Sequence, residues 1–259
     1  MYPPRVIPIL LLQEGGLVKT VRFKDPKYVG DPINAVRIFN EKEVDELVLL
    51  DICATKEKRE PNYDHIEEIV SEAFMPVGYG GGIHTLRQIE KLFKIGVDKI
   101  VLNTATFSNS SLITEAASIY GNQSIVGSVD VKKNFLGEYK IFSHCGCQKQ
   151  KSELTTHLKR IQDLGVGEVF LNSIDKDGTM SGYDKILIGK AVSVLNIPLV
   201  AIGGAGQITH LSEAINAGAS AVAAGSMFVF QGIHRAVLIS YINSKELELI
   251  LYSNTKQLY

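Results

Sequence analysis

The sequence predicts an α/β fold, a single (β/α)8 TIM barrel, and three observations lead to it. Eight short, β-rich apolar runs alternate with eight helical segments. The 259 residues match the usual size of one such barrel. The two halves of the chain repeat each other's motifs in the same order, as tandem half-barrels over about 1–121 and 122–259 would.

The strand candidates are 6–12, 47–52, 76–79, 99–103, 124–131, 168–173, 199–202 and 221–224. Their near-continuous apolar character suits parallel strands covered by helices, where alternation would suit a half-exposed sheet. The helix candidates are 33–43, 63–73, 86–95, 112–120, 154–164, 186–195, 211–217 and 233–242. Four of them run into Gly96, Gly121, Gly165 and Gly218, the residue type that ends a helix in left-handed conformation. As for the repeat, Val48-Leu49-Leu50-Asp51 returns as Val169-Phe170-Leu171-Asn172. Gly80-Gly81-Gly82-Ile83 returns as Gly203-Gly204-Ala205-Gly206, and Asn103-Thr104-Ala105 as Gly225-Ser226-Met227.

Composition narrows the function classes. Lys and Arg number 27 against 28 Asp and Glu, so neither nucleic acid nor a membrane surface is the expected partner. The apolar start is too short to span a bilayer and lacks the marks of a signal peptide. Cys53, Cys145 and Cys147 form no disulfide framework, and no His spacing completes a metal set around Cys145-Gly-Cys147. Reduced thiols, a cytoplasmic location, no metal and no other cofactor are expected.

In such barrels the working face lies at the C-terminal ends of the strands. There the sequence places glycines and polar residues. Gly82 with Asn103 and Thr104, and Gly204 with Gly225 and Ser226, read as two phosphate cradles, since glycine lets backbone N–H groups approach an anion. Lying in opposite halves, they fit a long ligand with two phosphates. Asp51, Asp130 and Asp177, the last followed by Gly178, are the candidate acids and bases between them. Asp130 ends an apolar strand, where burial would raise its pKa toward a useful range. At the opposite end, Arg5, Glu46, Lys99 and Glu168 begin four strands with alternating charge. Turned inward, they would close the barrel floor as a salt-bridged ring; turned outward, they are solvated strand starts.

Taken together, these residues resemble the cyclase subunit of imidazole glycerol phosphate synthase, the HisF family. The match runs from Arg5 to about Tyr241 and rests on Gly15, Lys19, Gly30-Asp31-Pro32, Asp45-Glu46-Leu47, Leu50-Asp51-Ile52, Gly80-Gly81-Gly82-Ile83, Asn103, Gly167-Glu168, Asp175-Lys176-Asp177-Gly178-Thr179 and Gly203-Gly204-Ala205-Gly206. The resemblance implies a lyase-type subunit of a glutamine amidotransferase complex. A HisH-like glutaminase docks under the floor, where Asp98 would meet it, and its ammonia passes the ring of Arg5, Glu46, Lys99 and Glu168. The ammonia then meets a bisphosphorylated aminoimidazole ribotide, with Lys19 at the substrate end.

The family uses two aspartates, at the ends of strands one and five. Asp130 fills the second position, but Leu11 stands at the first. Losing one member of a positioned acid–base pair costs about 10²–10⁴ in rate. The segments around Leu11, 16–21, 24–35, 61–63 and 234–241 resemble instead the glycosyl-amidation-associated paralogues (WbuZ type) of surface-polysaccharide clusters. That resemblance implies ammonia delivery for an acetamidino sugar, with an N-acetyl-sugar amidotransferase as a further partner in lipopolysaccharide biosynthesis. An authentic cyclase of histidine biosynthesis and a non-catalytic scaffold for the glutaminase stand as alternatives.

Overall fold

The computed structural model describes residues 4–232 and 234–243. Eight parallel strands close on themselves: β1 Val6–Gln13, β2 Leu47–Asp51, β3 Val77–Gly80, β4 Lys99–Leu102, β5 Ile125–Lys133, β6 Glu168–Ser173, β7 Leu199–Ile202 and β8 Ala221–Ala224. Each pairs with the next, and β8 returns to β1 through Val6 opposite Val222. The predicted (β/α)8 barrel is the observed one, and its eight predicted strands are its eight staves.

Strand side chains alternate between two environments. One set packs outward against α1 Pro32–Glu41, α2 Tyr63–Ser71, α3 Leu86–Lys94, α4 Ser110–Tyr120, α5 Leu154–Asp163, α6 Lys185–Val192 and α7 Ile208–Asn216. The other set fills the barrel with a small separate core of residues such as Ile7, Val48, Val101, Val126, Phe170 and Val200. The helices start where side chains can cap them. Asp31, Asn62, Asn109 and Asp184 accept from the first turns of α1, α2, α4 and α6, and Thr85 with Gln88 forms a capping box at α3. Gly96, Gly121, Gly165 and Gly218 all have positive φ just past helix ends.

The predicted eighth helix, over 233–242, is not formed. Ile233 lies outside the described residues, and among those that follow Ala236–Val237 pairs antiparallel with Phe230–Gln231. A turn at Gly232, with positive φ there and at Arg235, reverses the chain. The backbone N–H groups of Leu238 and Ser240 then donate to Val229 and Phe228, not to a helical turn.

Several elements went unforeseen. Gly16–Val21 and Lys24–Gly30 form an antiparallel hairpin beyond β1. Strand β5 outruns the barrel and folds back with Tyr139–Ser143 and Gln148–Lys149. One-turn helices, Ala105–Ser108 and Ser226–Val229, follow β4 and β8. All of these lie at the C-terminal end of the barrel. No helix among the described residues is long and apolar enough to cross a membrane.

Candidate functional site

The alternation that divides core from helix layer also builds both ends of the barrel. On β1 the inward column runs Arg5, Ile7, Ile9, Leu11; on β2 it is Glu46, Val48, Leu50; on β4, Lys99, Val101, Asn103; on β6, Glu168, Phe170, Asn172. Each of these four columns starts on a charge at the floor and passes through apolar residues toward the mouth.

At the floor the four charges point inward and pair. Arg5 donates to Glu46 and to Glu168. Lys99 Nζ completes the circuit at 2.8 Å from Glu46 and 3.0 Å from Glu168. Both glutamates are buried. Burial would lower the Arg5 guanidinium, but the carboxylates of Glu168 and Glu46 outweigh it and hold its pKa above the usual value. Each charge has two opposite neighbours, which is what lets the ring exist in a desolvated place. Asp98 stands beside it, exposed, with its carboxylate accepting from the Val77 N–H at 2.8 Å.

At the mouth, every residue singled out from the sequence, from Leu11 and Lys19 through to Gly225 and Ser226, lines one cavity. Asp130 is buried on β5. Burial pushes its carboxyl up to about 7, nearby Asp177 adds to the rise, and a hydrogen bond from Asn172 opposes it. Asn103 Nδ2 donates to Asp130 Oδ2 at 3.2 Å. The amide oxygens of Asn103 and Asn172 are buried without a hydrogen-bond partner. Acceptors left open around Asp130 suit a ligand that brings its own N–H or O–H groups.

Asp177 is likewise raised by burial, against the pull of Lys19 and a bond from Thr20 at 3.3 Å. Lys19 comes from the unforeseen hairpin; its ammonium donates to the Ile9 carbonyl and lies against Gly225. Burial pulls it down to about 8, partly opposed by Asp177. Two acids and an ammonium thus meet in one desolvated space, each with its ordinary titration displaced toward neutrality. Asp51 behaves differently. Arg59 holds both its oxygens, at 2.8 and 2.9 Å, and the Cys53 and Ala54 N–H groups bond one of them. These bonds tie it to the loop that follows β2.

Gly82 and Gly204, one in each of the two expected cradles, adopt left-handed backbone conformations. They have φ of +72° and +113°, and side chains there would collide with the Arg59 and Gly182 carbonyls. Gly178, also left-handed, packs against the Thr20 carbonyl of the hairpin. Thr104 and Gly225 stand at the starts of the two one-turn helices, with Ser226 buried just inside the second. The first helix is braced from behind by α5. Arg160 donates to the Thr106 carbonyl, His157 meets the Thr106 hydroxyl at 3.3 Å, and its ring stacks on Phe107.

Sequence reasoning missed the residues that overhang the cavity. Phe23 arrives from the hairpin tip, Lys56 from the loop after β2, and Cys145 from the turn after Tyr139–Ser143. Cys145 donates to the Ile52 carbonyl at 3.1 Å, and burial pushes its thiol up to about 12. None sits in a periodic pattern, so only the fold brings them in.

Comparison with known proteins agrees with this geometry. The family model described as histidine biosynthesis protein matches residues 5–234. A protein of Pseudomonas aeruginosa named "Putative imidazole glycerol phosphate synthase subunit hisF2" is 52% identical over 250 residues, 96% of this chain and all of its own. The chain belongs to the HisF family. Another HisF-type relative, from Leptospira borgpetersenii and also named a "Putative imidazole glycerol phosphate synthase subunit HisF", is 48% identical over 96% of this chain and 99% of its own. A third, named "Imidazole glycerol phosphate synthase subunit HisF" in Exiguobacterium sibiricum, is 39% identical over 88% of this chain and 91% of its own. In this HisF-family barrel the inward end of β1 is Leu11, half-buried against the inner core and facing the cavity that Asp130 lines.

Proposed function

We propose that this HisF-family barrel receives ammonia from a glutaminase at its floor and delivers it to a phosphorylated ligand at its mouth. On this reading it serves the amidation of an N-acetyl sugar, not the cyclisation step of histidine biosynthesis. The observation that carries the reading is the pairing of an intact ring and intact cradles with an apolar Leu11 opposite Asp130. A leucine can neither give nor take a proton, so the two-aspartate chemistry expected of the family is half absent. What remains is a charged floor, an apolar interior and a polar mouth. The interior between them, packed with Ile7, Val48, Val101 and Val126, is apolar and favours passage of a small neutral molecule over an ion. The open amide oxygens beside Asp130 are acceptors for ammonia or for the ligand it attacks. Two cradles in opposite halves argue against a mere docking scaffold, which needs no anion sites. They also lead us to read the barrel as two tandem half-barrels.

A second reading has its own support. The names of the relatives point to imidazole glycerol phosphate synthase, and Asp130, at about 7, remains suited to proton exchange at neutral pH. One experiment decides between them. The protein is given ammonium salt and the bisphosphorylated aminoimidazole ribotide, bypassing any glutaminase, and imidazole glycerol phosphate is measured. Negligible turnover supports ammonia delivery to another acceptor; turnover comparable to that of an ordinary cyclase overturns it.

A further inference from the structure

Strand β5 continues past the barrel rim to Lys133 and becomes the first strand of a flap, with Tyr139–Ser143 and Gln148–Lys149. Register decides which side chains share a face, because they alternate along each strand. Asp130 lies opposite Phe142, Lys132 opposite Lys140, and Phe142 opposite Lys149. These five therefore stand on one face, and since Asp130 lines the mouth cavity, that face is continuous with it.

The reverse face is fully used. Val131, Ile141 and Ser143 are buried on it, while Tyr139 and Lys133 bond the Asp184 carboxylate at 2.9 and 3.1 Å. The front face is not. Lys132 and Lys149 are exposed and make no ion pair among the described residues; Lys140 pairs with Glu138 at 3.0 Å. Like charges set directly opposite each other destabilise a sheet. Three lysines against Glu138 and the buried Asp130 leave a surplus of positive charge, and the half-buried ring of Phe142 lies in their midst. The flap's far end is tied to the first cradle, where the His144 N–H donates to the Thr104 hydroxyl at 3.1 Å.

We propose that the front of this flap is a binding subsite for a nucleoside phosphate, with the base on Phe142 and phosphates against Lys132, Lys140 and Lys149. An aromatic platform beside clustered ammonium groups matches a ligand that carries both a flat ring and an anion. The inference rests on the reading that the mouth takes a phosphorylated ligand, and it narrows that ligand to a nucleotide-linked class. The near-zero net charge of the chain favours a small ligand over a nucleic acid.

The test is calorimetric titration of the full chain with uridine diphosphate, adenosine diphosphate, pyrophosphate and inorganic phosphate. Both nucleotides are expected to bind more tightly than pyrophosphate. Phe142→Ala should weaken both nucleotides about tenfold, as loss of one base–aromatic stack does, and leave pyrophosphate unchanged. Phe142→Tyr should restore them, which a merely folding role would not require. Lys132→Ala with Lys149→Ala should weaken all three diphosphates, with a shallower salt dependence. Nucleotides that fail to bind, or that bind Phe142→Ala as well as the wild type, overturn the subsite. Inorganic phosphate tells whether the cradles fall with it. If phosphate still binds, the flap inference alone is lost; if it does not, the reading of the cradles is lost too.

Discussion

The two ends of this barrel hold comparable numbers of charged groups and treat them in opposite ways. At the floor, Arg5, Glu46, Lys99 and Glu168 alternate, so each charge lies within bonding distance of two of opposite sign. At the mouth, Asp130 and Asp177 share a sign, and Lys19 reaches a backbone carbonyl where a carboxylate would serve it better. Pairing makes the floor a fixed plug of charge. Withholding pairs moves Asp130 to about 7 and Lys19 to about 8, so the mouth changes protonation across the neutral range. Burial is common to both ends, and what differs is whether the buried charge has a partner.

The largest expected effect comes from changing what faces Asp130. Leu11→Asp should raise cyclisation of the bisphosphorylated ribotide by about 100-fold over the wild-type background, measured with ammonium salt as nitrogen source. Asp130→Asn in the same background should erase that gain. A wild-type rate already as high as that of the variant would show that the mouth needs no second acid.

Breaking the floor comes next. Lys99→Ala leaves two buried glutamates facing Arg5 alone, and should cost about 3 kcal/mol of stability in urea unfolding. With a docked glutaminase it should also let ammonia escape, so that glutamate released exceeds product formed. An unchanged one-to-one ratio would reduce the ring to a structural feature.

A more gradual effect, spread over several pH units, sharpens the mouth. Asp130 is raised in the fold from 3.8 to about 7, so the folded chain holds a proton that the unfolded chain releases. Its contribution to stability is therefore complete below pH 3.8 and is lost as pH climbs to about 7, with a slope of at most about 1.4 kcal/mol per unit. Asp130→Asn should remove that slope, read from denaturation midpoints across the range.

The smallest concerns His157 behind the first cradle, which has the opposite sign. Burial and then the Arg160 charge lower it from 6.5 to about 4, so its contribution is present above 6.5 and lost as pH falls toward 4. His157→Gln should flatten the pH dependence over that window, on top of a pH-independent loss from the missing stack on Phe107. An equal slope in both proteins would place the acid sensitivity elsewhere.

How far the sequence speaks depends on whether a residue belongs to a periodic element. Glu168–Ser173, Leu199–Ile202 and Ala221–Ala224 match their expected bounds because apolar runs between glycines leave little choice. The ring residues were visible as charged strand starts, but their inward direction depends on strand register, which one sequence does not carry. The hairpin was illegible for a related reason. Lys24–Gly30 is nearly all exposed, so no hydrophobic pattern marks it, yet its partner strand delivers Lys19 to the cavity. The pairing of Asp51 with Arg59 was equally illegible, because it joins a strand end to a loop and is set by the fold and not by spacing. The stretch 233–242 had helical apolar spacing, but the turn at Gly232 gave its backbone a different partner.

The inward columns carry one more consequence, for how such a chain tolerates insertions and deletions. Leu11 lies on β1 and Arg5 just before it, six residues apart and facing the same way, a span of about 20 Å. Adding a single residue between them would rotate Leu11 into the helix layer while Arg5 kept its place, swapping every neighbour in between. Changes of length are therefore confined to the loops, and each stave of the barrel can vary only by exchange of one side chain for another.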